Sequence, residues 1–286
     1  MIRPVQTALY AVIGNPVKHS LSPAMMNAVF KSLGISAVYV ALEVDALAED
    51  LEKLAAVGFR GLSVTLPHKE AAFRLADEVD GTASAIGAVN TLKLHRGRWE
   101  GRNTDWIGSN RALELVAPLK GKRALVMGAG GVARAVVYGL SREGAQVTVC
   151  NRTAERGEAL ARAFQCNFIP LDEINRLAGE HGFEIVVQCT SVGLSGSRAS
   201  PLIRSSFFRE GMTVMDTVYR PFWTPFLRSA REAGCKVVHG LEMLLHQGVA
   251  QLEWWIEKKI PQAAGVQVMR DTLMRAVADE EDRQEN

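Results

Sequence analysis

The sequence contains a glycine-rich turn of a kind that binds phosphates. Gly128, Gly130 and Ala133 fit the pattern Gly-x-Gly-x-x-Gly/Ala, directly after an apolar run and at the start of a predicted helix. The first glycine permits a tight turn, the second lets the backbone approach a pyrophosphate, and the small third residue allows close packing of helix and strand. An ordinary glycine turn is the alternative. The context favours a dinucleotide site at the helix N-terminus, formed by Gly128, Ala129, Gly130, Gly131 and Val132.

The residues after the next predicted strand indicate which dinucleotide binds. That strand leads into Asn151, Arg152 and Thr153, where an enzyme that uses NAD is expected to place Asp or Glu. A guanidinium and a hydroxyl suit a 2′-phosphate, which a carboxylate would repel. Arg156 lies one helical turn further on and adds a second cation. We therefore expect NADP as the cofactor. The alternative is that Asn151 or Thr153 simply caps the next helix, and the two interpretations can hold together.

Polar loops occur in the first part of the chain where predicted strands end. They span residues 14–23, 64–69 and 87–91, and the segment 103–105 follows a predicted hairpin. In an open α/β sheet, ligands bind beyond the carboxyl ends of the strands, so these loops should converge on one crevice. Their side chains are hydroxyls and amides with one ammonium and one carboxylate. Such a set suits a small polyhydroxylated molecule.

Strands and helices alternate along the chain, which predicts parallel β-α-β units. The first series comprises a strand at 8–13, a helix from Ser22 as N-cap to Gly34, a strand at 37–44, a helix capped by Asp45, a strand at 61–65 and a helix from Pro67 through Val79. Residues 90–103 break this rhythm and predict a β-hairpin that turns at Arg96-Gly97. A helix follows from Asp105, and a second α/β series begins after Gly121.

These elements predict an α/β protein of two domains. The first comprises residues 1–105 plus 241–286 and is an open α/β substrate domain with a mostly parallel sheet. The second comprises residues 106–240 and is a Rossmann-type NADP-binding domain. Because the residues from Leu241 onward have a helical pattern and follow the last strand, we expect these C-terminal helices to return to the first domain.

The composition excludes several classes of protein. The 286 residues include 33 Lys and Arg against 31 Asp and Glu, a formal charge of +2, and 48% are hydrophobic. The high hydrophobic content excludes a largely disordered chain. The chain also lacks the excess of positive charge with which a nucleic-acid-binding protein holds the phosphate backbone. No apolar run approaches the ~18 residues that a membrane helix needs. We expect a small-molecule partner and neither a nucleic acid nor a membrane.

The cysteines and the N-terminus indicate the compartment. The four cysteines stand far apart, without a Cys-x-x-Cys pair and without a nearby histidine that would suggest a zinc site. We expect no metal and reduced thiols. The first residues show no basic leader followed by a long apolar segment and a cleavage site. The prediction is a cytoplasmic protein.

A series of polar and glycine-rich segments runs through the chain: GNPVKHSLSP, SVTLPHK, IGAVNT, NTD, GAGGVARA, NRT, DTVYRPFWTPFL and HGLEMLLHQ. Their order and approximate spacing resemble those of the shikimate dehydrogenase family over nearly the whole chain. The resemblance implies the NADPH-dependent reduction of 3-dehydroshikimate to shikimate. It therefore implies a place in the shikimate pathway, which leads to chorismate and the aromatic amino acids.

The same resemblance implies roles for individual residues at the substrate. It places the substrate carboxylate at Ser20, Ser22 and Tyr219, the ring hydroxyls at Thr65, Asn90 and Gln247, and the catalytic pair at Lys69 and Asp105. Reduction of a ketone turns its oxygen into an alkoxide, so a positioned proton donor lowers the barrier. Lys69 is the expected donor. Asp105 is expected to hold the ammonium in place and to accept a substrate hydroxyl.

Three of these residues also have a plain structural explanation. Ser22 could be only the N-cap of its helix. Lys69 could be a solvated lysine in the first turn of a helix, where the helix dipole disfavours a cation. Asp105 could be only a carboxylate at a helix N-terminus.

The resemblance also implies contacts to the nicotinamide of the cofactor. Gly240 and Met243 match the family's nicotinamide contact, and Thr217 is a second candidate. A flexible thioether packs well on an aromatic face. Without the resemblance, Met243 would be assigned to the core, because Leu244 and Leu245 already belong to an apolar helix stripe.

Several positions depart from the usual family pattern. Met26 stands where the family usually has His, Gly81 where an acidic residue is frequent, and Gln188-Cys189-Thr190 where Asn-Ala-Thr is usual. Trp106 replaces a glycine, and a bulky indole beside the catalytic carboxylate could narrow the cleft between the domains. None of the departures removes a catalytic group.

Other functions stay open at this point. A quinate/shikimate dehydrogenase, or a paralogue that acts on another hydroxy acid, would have similar motifs. A non-catalytic regulator that binds NADP or shikimate would not need Lys69 and Asp105, both of which are present. The expected assembly is a monomer or a homodimer. The adjacent Trp254 and Trp255 could mark an interface, although paired tryptophans on a helix more often pack inside.

Overall fold

The chain divides into two compact units. The structure is a computed structural model that describes residues 7–174, 182–194 and 202–285. One unit comprises Met1–Thr104 and Gln247–Asn286, and the other comprises Asp105–His246. The second unit is thus an insertion in the sequence of the first. The sequence predicts the two boundaries between residues 105 and 106 and between residues 240 and 241, whereas the structure has them between residues 104 and 105 and between residues 246 and 247.

The first unit contains a six-stranded mixed sheet. Its strands are β1 (Ala8–Gly14), β2 (Ala37–Glu43), β3 (Phe59–Val64), β4 (Glu78–Val79), β5 (Thr91–His95) and β6 (Arg98–Arg102), in the order β2-β1-β3-β5-β6-β4. Strand β1 is parallel to β2 and β3, whereas β5 is antiparallel to β3 and β6. The predicted hairpin is confirmed, since Arg96 and Gly97 turn the chain with φ of 50° and 78°.

Four helices connect these strands: α1 (Ser22–Ser32), α2 (Leu47–Val57), α3 (Lys69–Leu75) and α4 (Gly81–Ile86). The N-cap predicted for α2 is wrong. Ala46 occupies that position, because the Asp45 carboxylate instead accepts a hydrogen bond from Asn15 Nδ2 (2.5 Å). The N-cap predicted for α1 is also wrong, since Leu21 is the cap and Ser22 is already helical.

The helix predicted from Pro67 through Val79 is shorter than expected. It begins at Lys69 and ends at Leu75. Asp77 is taken up by the hairpin instead: its amide donates to the Trp99 carbonyl (2.9 Å) and its Oδ2 accepts from the Trp99 amide (2.7 Å). Strand β4 then pairs with β6. A partner distant in sequence therefore ends this helix.

The second unit contains a six-stranded parallel sheet. Its strands are β7 (Arg123–Met127), β8 (Gln146–Asn151), β9 (Asn167–Pro170), β10 (Ile185–Gln188), β11 (Thr213–Asp216) and β12 (Lys236–Val238), in the order β12-β11-β10-β7-β8-β9. Its helices include α5 (Asp105–Glu114), α6 (Gly131–Arg142), α7 (Ala154–Ala163) and α8 (Pro225–Glu232). The strand order is that of the Rossmann fold. The sequence also predicts a helix between Pro170 and Glu184, and that segment lies mostly outside the described residues.

The C-terminal helices are α9 (Gly240–Ile256) and α10 (Val268–Glu285), with a π-helical turn at Gln262–Gln267 between them. From Gln247 onward these residues belong to the first unit, in agreement with the expected return of the chain. Trp255 packs against Tyr10, with ring centroids 5.0 Å apart, and its Nε1 donates to the Leu92 carbonyl (3.0 Å). This tryptophan therefore fixes α9 on the first sheet.

The contact between α9 and β3 makes Gly61 sensitive to substitution. A Cβ at Gly61 would lie 2.5 Å from Trp255 Nε1, so Gly61→Ala should displace a buried indole. We expect a loss of about 1–3 kcal/mol in the free energy of unfolding, as is typical of overpacking. Urea denaturation checks this value. The control is Gly81→Ala, where nothing lies within 4 Å of the new Cβ; an equal loss in the control would contradict the proposed clash.

Candidate active site

Polar residues of the first unit gather at the edge where β3 ends and β5 begins. Thr65 directly follows β3, and Asn90 directly precedes β5. Because β5 is antiparallel to β3, with Ser63 opposite Thr91, these two ends are neighbours. The Val64 amide donates to the Asn90 carbonyl (2.7 Å). Two of the predicted substrate residues, Thr65 and Asn90, therefore share one edge of the sheet.

The Asn90 side chain is held by a set of buried hydrogen bonds. Its Oδ1 accepts from the Thr104 amide (2.7 Å) and from Thr91 Oγ1 (2.7 Å). Its Nδ2 donates to Thr104 Oγ1 (3.0 Å) and to Gln247 Oε1 (3.5 Å). The structure thus brings the predicted residues Asn90 and Gln247 together. The network also determines which way the Asn90 amide points.

A second amide on α9, Gln251, supports this arrangement one helical turn after Gln247. Gln251 Nε2 donates to the Asn90 carbonyl (3.2 Å) and to Thr91 Oγ1 (3.0 Å), and its Oε1 accepts from Ser63 Oγ (2.7 Å). All these residues are buried, so the bonds form without competition from water. The sequence analysis missed Gln251, and its spacing of four residues from Gln247 was the available signal.

Lys69 is the first residue of α3 and is buried, with 9% of its surface exposed. The alternative of a solvated lysine is therefore wrong. Its carbonyl accepts from the Val89 amide (2.9 Å), next to Asn90, and the neighbouring His68 Nε2 contacts the Val44 carbonyl (2.6 Å). The helix dipole disfavours a cation at this end, so the dipole gives no reason for a lysine at this position.

Asp105 is the first residue of α5 in the second unit, with 3% of its surface exposed. The residues before it are held in the first unit, where Asn103 Nδ2 donates to the Ala88 carbonyl (2.9 Å). A carboxylate at a helix N-terminus is favoured by the dipole. Both the catalytic interpretation and the structural one are compatible with this position.

The predicted carboxylate-binding serines lie where α1 begins: Ser20 is in the loop after β1, and Ser22 is the first residue of α1. Ser22 is buried, and its amide donates to Ser20 Oγ (3.3 Å). Since Ser22 is not the N-cap, the alternative that gave it only this role is wrong. Strand β1 ends at Gly14, where a Cβ would collide with Thr65 Cγ2. The missing side chain at Gly14 therefore allows the serine loop to approach the loop of Thr65.

In the second unit, the predicted cofactor residues lie at the carboxyl ends of the parallel strands. Gly128 follows β7 with φ of +117°, a conformation that favours glycine. Gly130 is the N-cap of α6, and nothing lies within 4 Å of where its Cβ would be. The helix N-terminus is thus open to a phosphate. The other predicted cofactor residues are Ala129, Gly131 and Val132 after β7, Asn151, Arg152, Thr153 and Arg156 at the end of β8 and in α7, Thr217 after β11, and Gly240 and Met243 in α9. Tyr219, predicted to bind the substrate carboxylate, also follows β11.

Arg152 and Arg156 are exposed within one turn of the start of α7. Asn151 Nδ2 donates to the Thr153 carbonyl (2.8 Å), and Thr153 occupies the N-cap position without a side-chain hydrogen bond to the helix. Neither side chain caps α7, so the capping alternative is wrong. Two cations close together at this strand end fit a phosphate monoester.

The start of α9 lies close to the backbone that follows β11. A Cβ at Gly240 would be 2.7 Å from the Thr217 carbonyl oxygen and 2.9 Å from that of Asp216. Glycine therefore allows the helix to begin against the segment that contains Thr217. Met243 is buried in the core of the second unit, as its apolar neighbours predict. Its contact with the nicotinamide stays a prediction.

Asp216 ends β11 and is fully buried, with 0% of its surface exposed. Burial raises the pKa of its carboxyl to about 7, against hydrogen bonds from Thr224 Oγ1 (2.7 Å), the Val218 amide (2.9 Å) and Gln188 Nε2 (3.2 Å) that lower it. Since desolvation penalises the charged form, the folded protein binds a proton here more readily than the unfolded chain does.

This shift predicts a pH dependence of stability. The folded pKa of Asp216 is raised above its unfolded value of 3.8, so its contribution is fully present below pH 4 and is lost as the pH rises to about 7. Asp216→Asn removes the titration. Its stability relative to the unmutated protein should therefore rise between pH 4 and pH 8, by up to about 4 kcal/mol. Denaturant unfolding at several pH values measures the difference, and a constant difference would contradict the prediction.

Comparisons with known proteins agree with this geometry. Residues 12–92 match the model of the shikimate dehydrogenase substrate binding domain, residues 110–206 that of shikimate / quinate 5-dehydrogenase, and residues 240–274 that of the shikimate 5′-dehydrogenase C-terminal domain. The chain is 56% identical to shikimate dehydrogenase (NADP(+)) of Syntrophobacter fumaroxidans over 286 residues, which is 100% of both chains. The chain belongs to the shikimate dehydrogenase family.

More distant members of the shikimate dehydrogenase family support this assignment. The chain is 44% identical to shikimate dehydrogenase (NADP(+)) of Thermococcus kodakarensis over 255 residues, 87% of this chain and 91% of that protein. It is also similar to the crystal structure of shikimate 5-dehydrogenase from Thermus thermophilus in complex with NADP(H) and shikimate. That likeness has a TM-score of 0.82 at 40% identity and covers 93% of this chain and 99% of the other.

Trp106, the bulkiest departure from the shikimate dehydrogenase pattern, packs on α6. Its ring lies edge-on to Tyr138, with centroids 5.8 Å apart, and the Arg142 guanidinium lies 5.0 Å from its centre. Arg142 also donates to Tyr138 Oη (3.0 Å). These contacts account for the place of the indole within the second unit; its effect on a cleft stays a prediction.

The described residues contain neither a membrane-spanning helix nor a cluster of metal ligands. Across residues 7–174, 182–194 and 202–285, no helix is long and apolar enough to cross a bilayer. In the same ranges, no three His, Cys, Asp or Glu side chains lie together as metal ligands would. The four cysteines are free thiols.

Proposed function

We propose that this protein catalyses the reversible NADPH-dependent reduction of 3-dehydroshikimate to shikimate, a step of the shikimate pathway. The observation that carries the proposal is a lysine, Lys69, buried at the sheet edge that also holds the oriented amides of Asn90 and Gln247. The 56% sequence identity to the Syntrophobacter fumaroxidans protein, which extends over 100% of both chains, supports the same reaction.

The residues of the second unit fit NADP(H). The open N-terminus of α6 suits a pyrophosphate, and the adjacent guanidinium groups suit a 2′-phosphate. NADPH, when bound, supplies the hydride that reduces the ketone. We assign the pyrophosphate to residues 128–132, the 2′-phosphate to residues 151–153 and Arg156, and the nicotinamide to Thr217, Gly240 and Met243. The second unit is then the NADP-binding domain and the first the substrate-binding domain.

The proton for the reaction comes from Lys69. As the ketone carbon accepts the hydride, Lys69 Nζ donates a proton to the ketone oxygen, and the two transfers together convert C=O to CH–OH. The neutral amine of Lys69 then takes up one proton from solvent and becomes an ammonium again. Shikimate oxidation is the reverse, with the neutral amine accepting the hydroxyl proton. Asp105 accepts a hydrogen bond from a substrate hydroxyl and balances the charge of the ammonium. Burial of both side chains strengthens these interactions.

The remaining groups orient the substrate. Ser20, Ser22 and Tyr219 bind the carboxylate through hydroxyl donors. Thr65, Asn90 and Gln247 bind the ring hydroxyls. Because the Asn90 amide is oriented by Thr91 and Thr104 before any ligand arrives, little entropy is lost when it binds.

We also propose a cytoplasmic monomer or homodimer that binds neither a nucleic acid nor a membrane. The near balance of charges, +2 over the chain, supports this. The paired tryptophans do not require an interface. Trp255 packs against Tyr10 inside the first unit, and the Arg102 guanidinium covers Trp254 at 4.5 Å.

The proposed reaction is tested by following NADPH absorbance with purified protein and 3-dehydroshikimate. Shikimate and quinate are then offered with NADP and with NAD. Oxidation of NADPH with 3-dehydroshikimate supports the proposal, and a faster reaction with quinate would assign the protein to the quinate enzymes. Binding of NADP and shikimate without turnover would favour the regulator.

A further inference from the structure

We propose that Gln188 and Asp216 are positioning residues for the cofactor. In this inference, which rests on the proposed NADP site, the pair holds residues 189–193 against the glycine turn at Gly128. The affinity for the dinucleotide then depends on two side chains that do not touch it.

The two residues meet because of the strand register. Gln188 ends β10 and Asp216 ends β11, and the parallel ladder pairs them directly. On its other side, Gln188 is paired with Met127, the residue before Gly128. The glycine turn, the segment after β10 and the segment after β11 therefore start from adjacent positions at one edge of the sheet.

The Gln188 amide organises the segment that follows it. Its Oε1 accepts from the Thr190 amide, and its Nε2 donates to the Val192 carbonyl (2.8 Å). The Val192 amide in turn donates to Thr190 Oγ1 (3.1 Å). A single buried side chain thus satisfies a backbone donor and a backbone acceptor of residues 189–193. An apolar residue could not do so.

This segment forms a wall of the glycine turn. A Cβ at Gly128 would lie 3.2 Å from Thr190 Cγ2 and 3.3 Å from the Cys189 carbonyl oxygen. The Cys189 amide also donates to the Met127 carbonyl (2.8 Å). A shift of residues 189–193 would therefore move the backbone that is expected to face the pyrophosphate.

Asp216 anchors the glutamine amide. Its Oδ1 accepts from Gln188 Nε2 (3.2 Å) and from the Val218 amide (2.9 Å), and its Oδ2 accepts from Thr224 Oγ1 (2.7 Å). Thr224 is the N-cap of α8, where its Oγ1 accepts from the Leu227 amide. A buried carboxyl group is costly unless it is hydrogen-bonded. Its partners belong to residues 188, 218 and 224. Val218 follows the proposed nicotinamide contact Thr217, whose amide donates to the Gln188 carbonyl (2.9 Å).

The test compares dissociation constants for NADP⁺, measured by titration calorimetry, with melting temperatures. Gln188→Met keeps the side-chain length but removes all three side-chain hydrogen bonds of Gln188. We expect it to weaken NADP⁺ binding about 5- to 20-fold, equivalent to one or two net hydrogen bonds. Asp216→Asn keeps an Oδ1 acceptor and should stay within about threefold of the unmutated protein. Thr213→Val, a buried change at the other end of β11, is the control with unaltered affinity.

Coupling between the residues distinguishes positioning from general damage. Asp216→Ala should weaken NADP⁺ binding as well. The double variant Gln188→Met with Asp216→Ala should bind NADP⁺ no more weakly than the single variant that has the lower affinity. If Gln188→Met does not fold, Gln188→Asn retracts the amide by one methylene and should still weaken binding at least threefold.

The outcomes separate this inference from the proposed function. Unaltered affinity in Gln188→Met, or an equal loss in Thr213→Val, would overturn the inference alone. If the unmutated protein does not bind NADP⁺, the proposed function fails instead.

Discussion

Replacing Lys69 by alanine is expected to lower kcat for the reduction of 3-dehydroshikimate by at least about 100-fold, the range that general acid catalysis supplies. The buried ammonium is the proposed proton donor, and alanine has no group that could replace it. KM for the substrate should change much less, because the hydrogen bonds of Asn90 to Thr91, Thr104 and Gln247 do not involve the lysine side chain. Steady-state kinetics in both directions measure the two constants separately.

The matched control for Lys69→Ala is Lys53→Ala. Lys53 is an exposed lysine on α2 that forms an ion pair with Asp50 (3.0 Å), and its loss should leave kcat unchanged. Loss of folding is not expected in Lys69→Ala, because removing a cation from the first turn of α3 relieves an unfavourable interaction with the helix dipole. Near-normal turnover in this variant would show that Lys69 is not the donor.

Replacing Arg152 by alanine is expected to raise KM for NADPH by about 10- to 150-fold, since a hydrogen bond to a charged group contributes about 1.5–3 kcal/mol. NADH lacks the 2′-phosphate, so its KM should change little. The preference for NADPH over NADH should fall by nearly the same factor. Initial rates with each cofactor at saturating 3-dehydroshikimate give the comparison.

Arg162→Ala is the control for Arg152→Ala. Arg162 is an exposed residue near the end of α7, six residues after Arg156, and it pairs with Glu158 (3.3 Å). Both cofactors should be used normally by this variant. An equal loss of NADPH and NADH use in Arg152→Ala would refute the role of Arg152 at the 2′-phosphate.

Features that depend on neighbours in sequence were predictable. The hairpin at Arg96-Gly97 follows from a glycine, which accepts positive φ, between two short strands. The turn at Gly128 and the strand–helix alternation follow from local spacing as well. The position of the side chains after β8 was predictable for the same reason. In a Rossmann fold, the residues that follow a strand lie at the edge of the sheet where ligands bind.

Features that depend on remote partners were not predictable. Asp45 has the right residue type for an N-cap, yet its carboxylate binds Asn15, thirty residues earlier in the chain. The helix after Pro67 has an adequate helical pattern through Val79, yet Asp77 pairs with Trp99 of the hairpin. In both cases a tertiary hydrogen bond is more favourable than the local alternative, and local patterns contain no information about it.

The candidate site divides in the same way. The glycine turn at Gly128 and the cation at Arg152 could be proposed as phosphate contacts from residue types and local spacing, because each belongs to a short local motif. The role of Lys69 was proposed from the family resemblance, and all three roles stay predictions. Folding decided that Lys69 is buried, that Thr104 and Gln251 orient Asn90, and that Gln188 meets Asp216. Burial and orientation arise from groups far apart in sequence that meet only when the sheets form, so no local spacing can encode them.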